Sequence, residues 1–167
     1  MNKIKNIGEE KFNSLFEGIA DAIFIADHES KKLIDCNKRA EKLTEYSRKE
    51  ILSLRADQLH PKDLVERTME DFKKHSAGKL LVVDTEILTK GKKRVPVSIN
   101  TSVIKINGKS CLLGIFRDIT GRKQAKAEIQ KRNIELEKAN KLMIGRELNK
   151  MIELKKRIKE LEHNQKI

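Results

Sequence analysis

The sequence contains no tryptophan, only 4% aromatic residues, two prolines and two cysteines. Cys36 and Cys111 lie in separate apolar runs without the spacing of a metal site or a redox pair, so we expect buried free thiols in a reducing compartment. Apolar runs reach about six residues, far below the roughly 20 that cross a bilayer. No apolar segment follows Lys3 and Lys5, as a secretory signal would require. We therefore expect a cytoplasmic protein with no segment inserted in a membrane.

Positive charge is in excess, with 37 Lys and Arg against 25 Asp and Glu. The segment from Gly121 to Ile167 holds 14 of the basic residues and 7 glutamates, which is more than half of the net charge of +12. Such an excess favours contact with nucleic acid, anionic membranes or acidic partners. A DNA-binding zipper needs a dense basic region before its apolar repeat, whereas here the basic residues alternate with glutamate. We therefore do not expect nucleic acid as a partner.

The first half of the chain predicts a helix, a hairpin and further short helices. Apolar residues at helical spacing indicate a helix from Lys11 to Ala20. Two apolar runs separated by a polar turn, Ala22–Ala26 and Lys32–Cys36, predict a β-hairpin. Asn37 is a suitable N-cap for a following helix through Tyr46, and Ser47 caps the next one with a glutamate three residues later.

The second half of the chain, up to the basic tail, changes to strand-like patterning. A helix is expected from Asp63 to Gly78. Three strands follow, at Leu80–Thr89, Arg94–Ile106 and Ser110–Ile119, and Asn107-Gly108 between the last two is a strong hairpin signal. This order of elements predicts an α+β domain built on an antiparallel sheet.

The tail from Gly121 to Ile167 predicts one long helix with two narrow apolar seams. The first seam contains Ala125, Ile129, Leu136, Ala139 and Met143, with Arg132 as a gap. The second seam contains Ile144, Met151, Leu154, Ile158 and Leu161. Both follow a 3.5-residue repeat but differ in phase by one residue near Gly145, where a coiled coil would be locally unwound or overwound. We expect the helix to bury these seams against a second copy in a parallel homodimeric coiled coil.

Five segments in this order resemble one family. They are Phe12–Asp27, Asp35–Tyr46 with its Asn and Ala-x-x-Leu-x-x-Tyr residues, Leu59-His60-Pro61-Lys62-Asp63, Gly91–Val97, and Arg117-Asp118-Ile119-Thr120. The region they span resembles a PAS domain. The resemblance implies a PAS fold, with a five-stranded antiparallel sheet and short helices on one side, followed by the long coiled-coil helix. The expected domains are an N-terminal segment (1–10), a PAS domain (11–120) and a coiled-coil helix (121–167).

The resemblance also implies a sensory or regulatory module rather than an enzyme, and we find no catalytic motif. Candidates for lining an internal pocket are Phe24, Leu43, Leu59, Ile99, Thr101 and Phe116. Signal transmission is expected through Arg117, Asp118, Ile119 and Thr120, with Gly145 as a second joint. At this junction we expect Asp118 to pair with a basic residue and Thr120 to cap the helix.

The sequence does not identify a cofactor or an output partner. PAS domains that bind heme use a histidine on the helix that here contains Leu64–Phe72, which has none, and light-sensing members use an Asn-Cys-Arg-Phe motif that Cys36-Asn37 reverses. We therefore expect neither heme, flavin nor a metal. The chain would act on a kinase or another signalling protein, or be the sensor part of a histidine-kinase-like two-component protein. The alternatives are a scaffold that only dimerises and, as a third reading, a nucleic-acid-binding basic coiled coil.

Overall fold

The computed structural model describes residues 2–75 and 81–164. In these ranges the helices are α1 (Asn2–Gly18), α2 (Lys38–Thr44), α3 (Arg48–Ile51), α4 (Lys62–His75) and α5 (Thr120–Asn164), with a 3₁₀ turn at Ala56–Leu59. The strands are β1 (Ala22–Asp27), β2 (Leu33–Cys36), β3 (Leu81–Leu88), β4 (Arg94–Ile106) and β5 (Lys109–Asp118). The residues up to Gly121 and those from Arg122 onward form two separate units.

The strands form one antiparallel sheet in the order β2-β1-β5-β4-β3, which confirms the predicted fold class. The β4–β5 hairpin turns at Asn107 and Gly108, whose φ angles of 50° and 78° are both positive. This left-handed backbone suits the Asn-Gly pair and sets the register in which Ile106 faces Lys109. The first hairpin, between β1 and β2, is also formed as the sequence predicted.

Alternate side chains of β1 pack on opposite faces of the sheet. Ala22, Phe24 and Ala26 face the larger apolar cluster, which also receives residues from α2, α3 and the 3₁₀ turn. Ile23 and Ile25 face a second, smaller cluster that includes Phe16 of α1 and residues of β4 and β5. Because both faces are covered at β1, this strand is buried almost throughout.

The observed helix ends differ from the sequence-based expectation at several places. Helix α1 begins at Asn2 instead of Lys11, because the single glycine in this stretch weakens a helix by only about 1 kcal/mol. Helix α2 ends at Thr44 because Glu45 adopts a left-handed conformation with φ of 63°. The predicted ends at Gly78 and Ile167 lie outside the described residues.

Two predicted helix caps are formed. The Asn37 side chain accepts a hydrogen bond from the backbone N–H of Ala40, at the start of α2. Ser47 and Glu50 form the reciprocal capping box that begins α3. These caps fix where the short helices begin and therefore which of their residues reach the larger cluster.

Candidate functional site

A single residue, Ile119, separates the last strand from the long helix. Strand β5 ends at Asp118 and helix α5 begins at Thr120. Ile119 is only 3% exposed, and its N–H donates to the carbonyl of Pro96 on β4 at 3.0 Å. The residue directly before α5 is therefore buried and hydrogen-bonded to the sheet through its backbone.

The first turn of α5 is capped by Asp118. Its carboxylate accepts a hydrogen bond from the backbone N–H of Thr120 at 2.7 Å. Negative charge at a helix N-terminus is favourable because the first N–H groups have no partner within the helix. Thr120 is itself the first helical residue. Capping by the Thr120 side chain stays a prediction, and so does an ion pair of Asp118 with a basic residue.

Arg117 is ion-paired with Asp21, which lies between α1 and β1. Its Nη2 donates to the Asp21 carboxylate at 2.8 Å, and its Nε lies 3.2 Å from both carboxylate oxygens. Hydrogen bonding to this carboxylate raises the pKa of Arg117. The Arg117 side chain is 69% exposed, so the pair is expected to affect geometry more than stability.

Phe116, three residues before Ile119, lies in the larger cluster. Its ring meets the ring of Phe24 edge to face at a centroid distance of 4.8 Å. The His60 ring lies at 6.3 Å from it with a small interplanar angle of 26°. Gly114 allows this placement, because a Cβ atom there would lie 2.8 Å from Cε2 of Phe116. The core is thus packed directly against the strand that continues into α5.

Most of the residues predicted to line an internal pocket lie in one region of the core. Five of them belong to or pack against the larger cluster: Phe24, Leu43, Leu59, Ile99 and Phe116. Thr101 lies further along β4, half-buried, opposite Gly114 of β5 and on the same face of the sheet as Ile99. Side chains of the five therefore surround one region, and whether a ligand occupies it stays a proposal.

Asn37 and His60 are two of the buried polar side chains, and the sequence analysis did not predict that either lies in the core. The Asn37 amide makes four hydrogen bonds, to backbone groups of α1, β1, α2 and the turn before β1. Nδ1 of His60 lies 2.9 Å from the carbonyl of Glu86, and burial lowers the pKa of the imidazole. The capping pattern identified one of the four Asn37 bonds. The others join distant parts of the chain and leave no local signal.

Cys36 and Cys111 are buried free thiols, as predicted. Burial raises the pKa of the Cys36 thiol to about 11, which disfavours the reactive thiolate. Within residues 2–75 and 81–164, no cluster of three or more His, Cys, Asp or Glu residues is arranged to hold a metal ion. In the described part of the chain, the two buried thiols therefore pack in the apolar clusters and take no part in a disulfide or a metal cluster.

Gly145 lies inside α5, where the two apolar seams change phase. A Cβ atom at this position would meet no neighbouring atom within 4 Å. Its role as a second joint stays a prediction.

The fold and the strand-to-helix junction define a small α+β domain followed by a long helix. A family model for the PAS domain matches residues 20–121, and the chain belongs to this family. It is 27% identical over 124 residues to the methyl sulfide methyltransferase-associated sensor of Methanosarcina acetivorans, a match that covers 74% of this chain and 12% of that protein.

Solved PAS domains have the same fold. A PAS domain of a Colwellia psychrerythraea protein superposes with a TM-score of 0.62 at 23% identity, covering 69% of this chain and 98% of that one. A PAS domain from a two-component sensor histidine kinase gives a TM-score of 0.59 at 14% identity, covering 68% of this chain and 98% of that one. None of the helices in the described part is long and apolar enough to cross a membrane.

Proposed function

We propose that this chain is a cytoplasmic sensory module that passes a change in its core through Asp118-Ile119-Thr120 to a dimeric coiled coil. The observation that carries this proposal is the continuity of β5 and α5 across the buried Ile119. When a strand and a helix are joined by one buried residue, the two elements have little freedom to move independently at the joint. A small movement of β5 would therefore change the position of the first turn of α5.

The core is placed to produce such a movement. Phe116 lies on β5, and its ring contacts Phe24 of β1 and the buried His60. Packed cores do not deform continuously, since a displaced side chain forces its neighbours to adjust. A ligand or a substitution that shifts the Phe116 ring would act on its own strand, three residues before Ile119.

Helix α5 supports dimerisation through its exposed apolar residues. Those that belong to the two seams are Ile129, Leu136, Met143, Ile144, Met151, Leu154, Ile158 and Leu161. A helix with an exposed apolar stripe gains stability when that stripe is buried against another helix. The flanks carry opposite charges at helical spacing, as in the ion pair between Glu128 and Arg132. A second copy of this chain is the partner that matches the stripe along its whole length.

The phase slip near Gly145 keeps the two seams on one face of a straight helix. Ala125 and Leu161 hold equivalent seam positions and are 36 residues apart, or ten turns at 3.6 residues per turn. A strict heptad repeat would instead drift by about 20° per heptad and require a left-handed supercoil. We therefore expect a helix pair with little supercoiling.

The dimer is tested by sedimentation and light scattering of the full chain. We expect twice the chain mass of 19.3 kDa at micromolar concentration. Leu154→Glu places a charge in the exposed seam and should give the monomer, because burying that charge is costly. Asn149→Glu adds the same charge outside the seam and should stay dimeric. A wild-type chain that sediments as a monomer would remove this part of the proposal.

The sensory role is tested by native mass spectrometry of freshly purified protein, followed by thermal-shift measurements with a metabolite panel. We expect a bound small molecule or a saturable rise in melting temperature, and we expect Phe116→Leu to weaken it. The output partner would be a kinase or another signalling protein of a two-component type, carried on a separate chain or on a longer form of this one.

A scaffold that dimerises without a ligand is the second candidate function. It is favoured by the mutual packing of Phe24, Leu59, Ile99 and Phe116, which gives the core a structural role of its own. Retention of the dimer together with no mass shift and no thermal shift would select it. The net charge of +12 makes a third test worthwhile, since steeply salt-dependent DNA or RNA binding would indicate a nucleic-acid partner instead.

A further inference from the structure

One buried carboxamide joins α1 to the rest of the sensory unit. The Asn37 Nδ2 donates to the backbone carbonyls of Phe16 (3.0 Å) and Asp21 (3.1 Å). Its Oδ1 accepts from the N–H groups of Ile23 (2.9 Å) and Ala40 (3.0 Å). A carboxamide offers two donor hydrogens and one acceptor oxygen with two lone pairs, and here all are used. The end of α1, the start of β1 and the first turn of α2 are thus held by one side chain.

Asp21 continues this network to β5. Its carbonyl binds Asn37, and its carboxylate accepts from Nε and Nη2 of Arg117. A guanidinium held through two nitrogens is fixed in orientation as well as in position. Arg117 directly precedes Asp118, whose carboxylate caps Thr120. The chain of contacts therefore runs from the last turn of α1 to the first turn of α5.

We propose that Asn37, Asp21 and Arg117 form a polar clamp that couples the end of α1 to the first turn of α5. A displacement of α1 would move the backbone at Phe16 and Asp21, turn the guanidinium of Arg117 and loosen the Asp118 cap. This route does not use the apolar side chains of the core. The segment before β1 is then a second input to the junction, a statement that rests on the proposed role of that junction in transmission.

The clamp differs from an ordinary surface ion pair in which parts of the chain open more readily when it is broken. Exposed ion pairs have small effects on global stability, so global unfolding is a poor measure of the clamp. Coupling predicts instead that breaking the pair at Asp21 changes local opening at two distant places, the end of α1 and the start of α5. Amide hydrogen exchange measures such local opening.

The experiment is hydrogen exchange with mass spectrometry on the full chain, comparing Asp21→Asn with the wild type. We expect exchange to accelerate about two- to fivefold in peptides covering residues 13–18 and 119–123, the scale set by losing an exposed ion pair. Arg117→Gln should produce the same pattern. The double variant should add nothing further, because both substitutions break the same pair.

Asp63→Asn is the matched control. Asp63 accepts from two nitrogens of Arg94 at 2.7 and 3.0 Å, so the geometry of this pair resembles that of the Asp21–Arg117 pair, while the Asp63 side chain is more exposed (58%) than that of Asp21 (19%). It joins α4 to β4 and should leave residues 119–123 unchanged. The clamp is overturned if Asp21→Asn accelerates exchange only in α1, or if the Asp63 variant changes the start of α5 equally.

The same measurement separates this inference from the proposed transmission through the core. Phe116→Leu disturbs the core and leaves the three clamp residues intact. If Asp21→Asn affects the start of α5 and Phe116→Leu does not, the clamp stands and transmission through the core fails. If only Phe116→Leu affects it, the clamp is overturned and transmission through the core stands.

Discussion

Replacing Asn37 by alanine should destabilise the sensory unit far more than the loss of a helix cap. The side chain is 0% exposed, and its substitution removes the cap of α2, which contributes about 1 kcal/mol. It also leaves the N–H of Ile23 and the carbonyl of Phe16 without their buried partner, at about 1–3 kcal/mol each. We expect a total loss of about 4 kcal/mol, a large part of the 5–15 kcal/mol typical of a domain.

Urea unfolding followed by tyrosine fluorescence measures this loss. The chain has one tyrosine and no tryptophan, and Tyr46 packs against the larger cluster, so the signal reports the sensory unit rather than α5. Ser47→Ala is the matched control, because Ser47 caps α3 in an exposed position and should cost about 1 kcal/mol. Asn37→Ser keeps a cap oxygen and should fall between the two.

A similar loss of stability for Asn37→Ala and Ser47→Ala would contradict this prediction. Such a result would mean that the bonds to α1 and β1 contribute nothing beyond the cap, for example because water replaces them. It would also remove the first link of the polar clamp, since Asn37 would then hold α1 only weakly.

Three further predictions concern the core and the tail. Gly114→Ala should lower stability by about 1–3 kcal/mol in urea unfolding, because its Cβ would meet the Phe116 ring at 2.8 Å, and an unchanged midpoint would contradict this. Burial lowers the pKa of His60 from 6.5, so the folded state binds fewer protons than the unfolded one. Stability should fall as pH drops from about 7.5 to 5.5, and His60→Gln should flatten that slope. Deleting Gly145 brings the two seams into one heptad phase, which a left-handed supercoil can bury without a break, and should tighten the dimer in sedimentation by more than the roughly 30-fold expected from removing a glycine cost of about 1 kcal/mol in each helix. Gly145→Ala removes the glycine but keeps the slip, so equal tightening by both variants would contradict the phase argument.

The features that depend on near neighbours were predictable from the sequence. Asn107 and Gly108 adopt the positive φ angles that their hairpin needs, and the strands on either side pair as expected. The caps at Asn37 and Ser47 also follow from residue type and position. In each case the physical cause lies within about four residues, so a sequence pattern contains it.

The features that join distant segments were not predictable. Asp21 and Arg117 are separated by 96 positions, and neither residue type indicates its partner. The alternation along β4 predicts that Val95, Val97, Ile99, Thr101 and Val103 share a face, but not which of them are covered. Beyond Asn100 the apolar residues of β4 change face, and Ile104 and Ile106 pack in the smaller cluster instead. Regular alternation fixes which residues share a face, but only the packing of neighbouring elements decides which part of that face is covered.

The two proposed routes end at the same four residues, 117–120. One is apolar and runs along β5 from Phe116 to the buried Ile119, and the other is polar and runs from Asn37 through Asp21 to Arg117. Because both proposed routes act on the same residues, a change made through one alters the position from which the other acts. Their effects on the start of α5 should therefore not add. A core already displaced should leave less for the clamp to change at the start of α5. The junction would then combine a signal from the core with one from α1, instead of relaying either alone.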